Sequence, residues 1–236
     1  MKYMSKSVAD ELYDLAQHKS YSYFVDLLSD INTQTSLNSR QLEILTKIDF
    51  FSEFGNQREL FTISDIFELF KKGEAKKIAR TQVEGTRFEQ IVRNHATDKT
   101  KAGAEAKSFT ITDMPGLLHD CEDMVKASHM SDLSLLLKAK NFADIMGYAG
   151  YTSGLEEDRN KLYIRAVYPV RRKKDNAIFG YSVLTQSIGS GKESRMTVFK
   201  KLFEQDPIKE GDIVVCRSWQ RDGPYFQMTG YEHLIA

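Results

Sequence analysis

Residues 161–234, KLYIRAVYPVRRKKDNAIFGYSVLTQSIGSGKESRMTVFKKLFEQDPIKEGDIVVCRSWQRDGPYFQMTGYEHL, decide how this chain folds. They break into five β-rich runs: LYIRAVYPV (162–170), AIFGYSVLTQ (177–186), RMTVFK (195–200), IVVCRSW (213–219) and YFQMTGYEHL (225–234). RRKKDN, SIGSGKES, PIKEGD and QRDGP separate them with glycine, proline and charge. Short runs rich in β-branched and aromatic residues, divided by such turns, predict a small closed or partly open barrel.

Upstream of the barrel the pattern changes from period two to helical spacing. Ser5 or Ser7 is placed to cap a helix carrying Val8, Leu12, Leu15 and Ala16 on one face. YSYFVDLLSDI follows, and then a helix capped by Asn38 or Ser39 with Leu42, Leu45 and Ile48 in register, stopped by Gly55 and Asn56. Residues 1–74 therefore read as a helical domain. Residues 75–160 read as a basic linker with connecting helices: Thr97 to Lys107 is poor in apolar residues and is expected as a flexible loop, and Met130 to Tyr148 as a helix. Residues 161–236 are the barrel domain, and the fold class is α+β.

With 41% hydrophobic residues, the 236-residue chain can bury a core, which argues against wholesale disorder. The formal net charge is zero, yet the charge is segregated. Residues 1–70 hold 6 Lys+Arg against 11 Asp+Glu, residues 71–107 hold 10 against 5, residues 108–160 hold 4 against 9, and residues 161–236 hold 13 against 8. A polyanion meets the local field rather than the total, so two basic segments are candidate contacts, or else ordinary solvated faces. Cys121 and Cys216 fall in different regions, which fits a reduced setting better than a disulfide scaffold. No apolar run approaches the roughly 18 residues needed to span a membrane, and the expectation is a cytoplasmic protein with no membrane partner.

Enzyme motifs fail on spacing. IGSGKES resembles a phosphate loop, but that motif needs glycine where Gln186 stands and Ser or Thr where Glu193 follows Lys192; a strand-joining turn is the better reading. His18, His95, His119, His129 and His233 are scattered, with no metal-ligand spacing. His119, Asp120 and Cys121 are neighbours in sequence, which by itself makes no catalytic dyad. No metal, cofactor or catalytic residue is expected.

Nucleic-acid binding has more support. In a barrel of the oligonucleotide-binding (OB) type, strands 2 and 3 and the loops joining strands 1–2 and 4–5 form the binding face. Here the first loop holds Arg171, Arg172, Lys173 and Lys174, and the second runs from Trp219 to Tyr225 and includes Arg221. Lys192, Arg195 and Lys200 on or near strand 3 extend the cationic track, since cations follow phosphates while aromatic rings stack bases. Phe179 and Phe199 are expected in the barrel core; Trp219 is open between core and binding face.

Taken together, the segments resemble the C-terminal part of the bacterial replicative DNA polymerase III alpha subunit, the C-family polymerase. SLNSRQLEILTKIDFFSEFGNQREL is similar to the family segment that closes its tandem helix-hairpin-helix region, with Leu37, Asn38, Arg40, Leu42, Leu45, Phe50, Gly55, Asn56 and Arg58 in order. YMSKSVADELYDLA resembles the second half of the preceding hairpin, LLLKAKNFADIMGYAGY the helix that runs up to the family's OB domain, and the barrel falls where that domain lies. Two departures stand out: Tyr3-Met4-Ser5 replaces the hairpin glycines, and Ile48-Asp49-Phe50-Phe51 stands where Gly-Ala-Phe-Asp is usual. The resemblance implies a helix-hairpin-helix-like region gripping duplex backbone, Asn38 and Arg40 included, ahead of a barrel on single-stranded template. It implies no catalysis by this chain alone, because the family's catalytic aspartates sit in a palm domain that nothing here matches. The implied partners are single-stranded and duplex DNA, other replisome subunits, or the rest of a polymerase chain from which this is a fragment or a split piece. The alternative is a protein-docking module of the replisome without direct DNA binding.

Overall fold

The structure is a computed structural model that describes residues 4–71, 77–99, 103, 105–223 and 225–234, with the side chains of Lys71, Lys99, Asp222 and Tyr225 outside the described set. The chain divides into two compact units, Tyr3–Asp132 and Leu133–Ala236.

In the first unit, four helices come in succession: α1 (Lys6–His18), α2 (Phe24–Gln34), α3 (Ser39–Lys47) and α4 (Gln57–Lys71). Ser5 caps α1 by accepting the Val8 N–H at 3.3 Å, and Asn38 caps α3 in a reciprocal box with Gln41, both contacts at 3.0 Å. Residues 77–132 belong to the same body. A small antiparallel sheet of β1 (Lys77–Ala79), β3 (Glu105–Ile111) and β2 (Ala96–Lys99), in that order, is flanked by α5 (Glu89–Asn94) and followed by α6 (Met114–Ala127). Phe24, Leu28, Leu60, Ile63, Phe109 and Leu117 are fully buried in one shared core.

The loop expected over Thr97–Lys107 is thus corrected at both its ends, which are strands, while 100–102 and 104 lie outside the described residues; the described residues between 77 and 132 pack into this unit instead of forming a linker. The cause is an ion cluster that composition alone does not reveal. Asp98 accepts from Arg80 at 3.0 Å and from Arg93 at 3.1 Å, and both guanidiniums lie about 5 Å from the Phe109 ring (4.9 and 5.1 Å). Polar strands are held here by cations packed on a buried aromatic.

One buried carboxylate ties this unit together. Glu122 of α6, with its side chain fully buried, accepts the N–H groups of Phe24 and Val25 at 2.9 Å each, and Lys126 approaches it at 2.7 Å. The first turn of a helix leaves its N–H groups without intrahelical partners, and a carboxylate satisfies them and complements the helix dipole. α2 is therefore capped by a residue almost a hundred positions away.

In the second unit, α7 (Leu135–Met146) is capped by Ser134 and ends at Gly147, whose φ of +81° favours glycine. The barrel then follows as β4 (Lys161–Arg171), β5 (Ile178–Ser187), β6 (Glu193–Phe199), α8 (Lys200–Gln205), β7 (Ile213–Asp222) and β8 (Tyr225–Leu234). It closes in the order β4-β5-β6-β8-β7, with β6 and β8 parallel and the other pairs antiparallel, consistent with an OB-type barrel. Ile164, Val183, Val198, Val214 and Met228 fill the interior, and Leu202 and Phe203 of α8 plug one end, the Phe203 ring stacked on Tyr181 at 3.7 Å. Ala139 and Ala143 of α7 pack in a second cluster with Tyr163, Ile188 and Ile213. Gln186 fixes the incoming chain there, its amide making two 2.9 Å bonds to the backbone of Ala149.

Replacing Glu122 by Ala should cost about 3–5 kcal/mol, because two buried N–H groups lose their acceptor and Lys126 its partner. Glu122→Gln should also destabilise, since an NH2 group would face one of the two donors; urea unfolding that leaves the midpoint unchanged for both would refute the capping role. His95 supplies a pH test. Its ring contacts Asp120 at 2.8 Å and Asp113 at 3.1 Å, and these carboxylates, Asp120 foremost, hold its pKa above the ordinary 6.5 against the opposing effect of burial. The stabilisation is fully present below 6.5 and is lost as pH rises through the raised folded value. His95→Gln should flatten the dependence of stability on pH in that window.

Candidate nucleic-acid interface

The barrel register sorts the sequence-expected residues into two groups. Gly180 faces Phe199 at one end of the β5–β6 ladder and Gln186 faces Glu193 at the other, a separation of six residues or about 20 Å. At the first end lie Arg171, Arg172, Lys173 and Lys174, all exposed in or beside the β4–β5 turn. That turn is built by Arg172 N–H to Ala177 O (2.9 Å), with Asn176 in the left-handed region at φ +55°. Arg171 donates to the carbonyl of Asn176 at 3.0 Å, and Arg172 lies 3.8 Å from Asp175. Among the described residues Lys173 and Lys174 have no partner. Lys200 is also at this end, but it opens α8 instead of ending a strand, and it lies 3.6 Å from Glu204.

At the opposite end lie Lys192, Trp219 and Arg221. Lys192 is exposed in the β5–β6 turn, where Ser187 Oγ accepts from Ser190 and Gly191 N–H reaches Ser187 O; the turn reading of IGSGKES holds. Trp219 is 57% exposed, and its ring meets that of Phe226 edge-on at 5.3 Å. Arg221 stands opposite Phe226 in the β7–β8 register, its Nε bonded to Gly223 O at 3.0 Å. Tyr225 opens β8, but its side chain lies outside the described residues. Arg195, paired with Leu184, lies exposed on the outer surface between the two ends.

Phe199, expected in the core, is 52% exposed: its partner Gly180 points outward by alternation, and so does Phe199. Phe179 is half-buried. Two exposed aromatics were not singled out from sequence. Tyr168, on the outer face opposite Ser182, and Phe226 sit in apolar-looking strands, and only their register shows which way they face. Adjacency to a charged turn is the one sequence signal by which Phe226 could have been found.

A groove of about 280 Å³ opens at the Trp219 end, with Asn160, Leu162, Ser194, Met196, Cys216 and the two rings on its walls. A larger cavity of about 580 Å³ lies between the end of α7 and Tyr163, but Asp144 and Glu210 line it, the wrong sign for a polyanion.

In the helical unit the chemistry points inward. Asn38 spends its side chain on the capping box, while Arg40 is exposed in the first turn of α3. Arg80 and Arg93, part of the basic segment 71–107, are engaged by carboxylates. The adjacent His119, Asp120 and Cys121 diverge: His119 bonds Asp26 at 2.9 Å and stacks on Tyr23, Asp120 bonds His95, and Cys121 is buried. Among the described residues no group of three or more His, Cys, Asp or Glu side chains is placed to hold a metal, and no helix is long and apolar enough to cross a membrane. No family model, curated protein or solved structure matches the chain.

Burial pushes the Cys121 thiol up to about 12, so almost none is thiolate near neutral pH. In a Cys216→Ser variant, a thiol-specific disulfide reagent at about pH 8, close to the ordinary thiol pKa, should leave the native chain unlabelled and modify Cys121 only on unfolding. Rapid labelling of the folded protein would show that this thiol is accessible.

Proposed function

We propose that the chain is a non-catalytic nucleic-acid-handling module whose barrel binds single-stranded DNA. The observation that carries this reading is the co-presentation, on one barrel consistent with the OB type, of exposed aromatics and of cations that have no side-chain partner among the described residues: Trp219 and Phe226 with Lys192 at one end, Lys173 and Lys174 at the other, and Arg195 between them. Rings stack bases at about 1–3 kcal/mol each, while lysines and arginines follow the phosphates without regard to sequence. The strand would run along the β5–β6 ladder from one turn to the other.

The resemblance to the C-terminal region of C-family replicative polymerases supports placing this activity in DNA replication. In that reading α3 and α4 belong to a helix-hairpin-helix-like region touching duplex backbone through Arg40, and polymerisation resides elsewhere. The helical unit supports a second reading, docking to a replisome protein. There Phe50 is 56% exposed beside a groove of about 380 Å³ that includes Leu12, Ala16 and Phe54. A partner that binds without competing with DNA would favour it.

Binding to an oligonucleotide should weaken steeply with salt, by about 0.7 logarithmic units per decade for each phosphate neutralised. Lys173→Ala together with Lys174→Ala should therefore lower the slope by about 1.4 and weaken binding at low salt without altering thermal stability. A double variant that binds with the same slope would remove the β4–β5 turn from the interface, and absence of binding by the parent chain at low salt would defeat the reading.

A further inference from the structure

β7 runs past the start of its neighbour β4. β4 reaches β7 only at Lys161–Tyr163, opposite Val215–Ile213, and the last link is the Cys216 N–H to Asn160 O bond at 2.8 Å. β6 meets β8 only from Met196 to Val198. The β7–β8 ladder, however, continues to Asp222 opposite Tyr225. Beyond Cys216 the edge of β7 on the β4 side is therefore free, while Trp219–Arg221 still pair with the β8 residues that close the barrel on β6, and the Cys216, Trp219 and Phe226 side chains share the groove with Leu162, Ser194 and Met196 from the starts of β4 and β6.

Three features of this groove select its occupant. Leu162, Met196 and Cys216 are buried, while Trp219 and Phe226 are 57% and 37% exposed with rings at 71°, so the groove presents flat apolar surface that water serves poorly. Its rim is polar and positive. The Asn160 carboxamide has no partner among the described residues, Ser194 lies beside it, and Arg221 and Lys192 flank the same end of the barrel. The third feature excludes an added protein strand: the free edge of β7 is broken by register shifts between Cys216 and Ser218 and between Ser218 and Trp219, and Arg217 there is bonded to Glu232. Bulges and charge on an edge prevent in-register pairing by another chain.

A flat heteroaromatic ring with a hydrogen-bonding edge, carried on an anionic backbone, meets all three conditions. We infer that the groove takes one unstacked nucleobase of a single strand, its face stacked on Trp219 with the Phe226 ring against its edge, its polar edge toward Asn160 and Ser194, and its flanking phosphate beside Arg221. This rests on the single-strand reading above and deepens it: base contact is assigned to the free-edged end of β7 and the barrel mouth, and the outer face of β5–β6 is left to the phosphates.

Trp219 is the chain's only tryptophan, so its emission reports on the groove alone. The full chain is titrated with a fluorescein-labelled oligothymidylate and with a strand of equal length made of abasic sites, and anisotropy and tryptophan emission are followed in parallel. The oligothymidylate should quench Trp219 in step with the rise in anisotropy; the abasic strand should bind more weakly and leave the emission unchanged. Phe226→Ala should weaken oligothymidylate binding by about 5- to 100-fold, and Phe226→Tyr should restore it, which separates loss of the ring from loss of the fold. Anisotropy that rises with Trp219 emission unchanged overturns the base pocket while leaving the single-strand reading intact. Equal quenching by both strands overturns it as well. No anisotropy change with either strand overturns both.

Discussion

The short parallel contact between β6 and β8 sets the geometry of everything at the barrel surface. Only Met196–Val198 and Phe226–Met228 take part, yet this contact closes five strands into a cylinder. Closure requires tilt and stagger, and a brief ladder leaves strands to overshoot it. Because β8 enters the contact at Phe226, its partners Trp219–Arg221 on β7 run alongside the closure, with their other edge beyond the reach of β4. The same contact brings Met228 and Val198 fully inside and leaves Trp219 half-way out. The free edge of β7 and the aromatic groove beside it are therefore consequences of how the barrel closes.

The helical unit is governed by a different constraint, the need of buried helix ends for acceptors. Glu122 serves the first turn of α2, and Asp98 holds two arginines over Phe109. Both arrangements take charges that look free in the sequence and commit them to the fold. A basic segment is therefore a poor guide to a binding surface until its internal pairs are known. In this chain the balance shifts toward the barrel: Lys173, Lys174, Lys192 and Arg195 are exposed and have no partner among the described residues, whereas Arg80 and Arg93 are spoken for.

Much of the architecture was legible from residue patterns. The five β-runs become five strands with boundaries within a few residues, because turns rich in glycine and charge separate them and β-branched residues fill them. The Asn38 cap and the turn reading of IGSGKES rest on equally local chemistry. Among the elements that escaped, KKLFEQ forms α8 between β6 and β7, where fewer than two helical turns are too short for periodicity to register. The β2–β3 pair is polar enough to read as a loop, since it is held by the side chains of Arg80 and Arg93, which lie outside both strands and meet on Asp98 only in the fold.

The candidate interface divides along the same line. Sequence alone determined that the last third of the chain is a strand-rich barrel, that its turns are cationic, and that Trp219 lies beside one of them; these follow from local propensity and composition. Tertiary structure decided which aromatics face outward, since a one-residue change of register reverses every side chain, and it turned Phe199 and Phe226 toward the surface. It also decided that the two cationic turns lie at opposite ends of one ladder, and that the aromatic groove forms where β7 runs past the start of β4. Which strands meet, and over how many residues, depends on contacts between segments far apart in the chain, and no local pattern encodes that length.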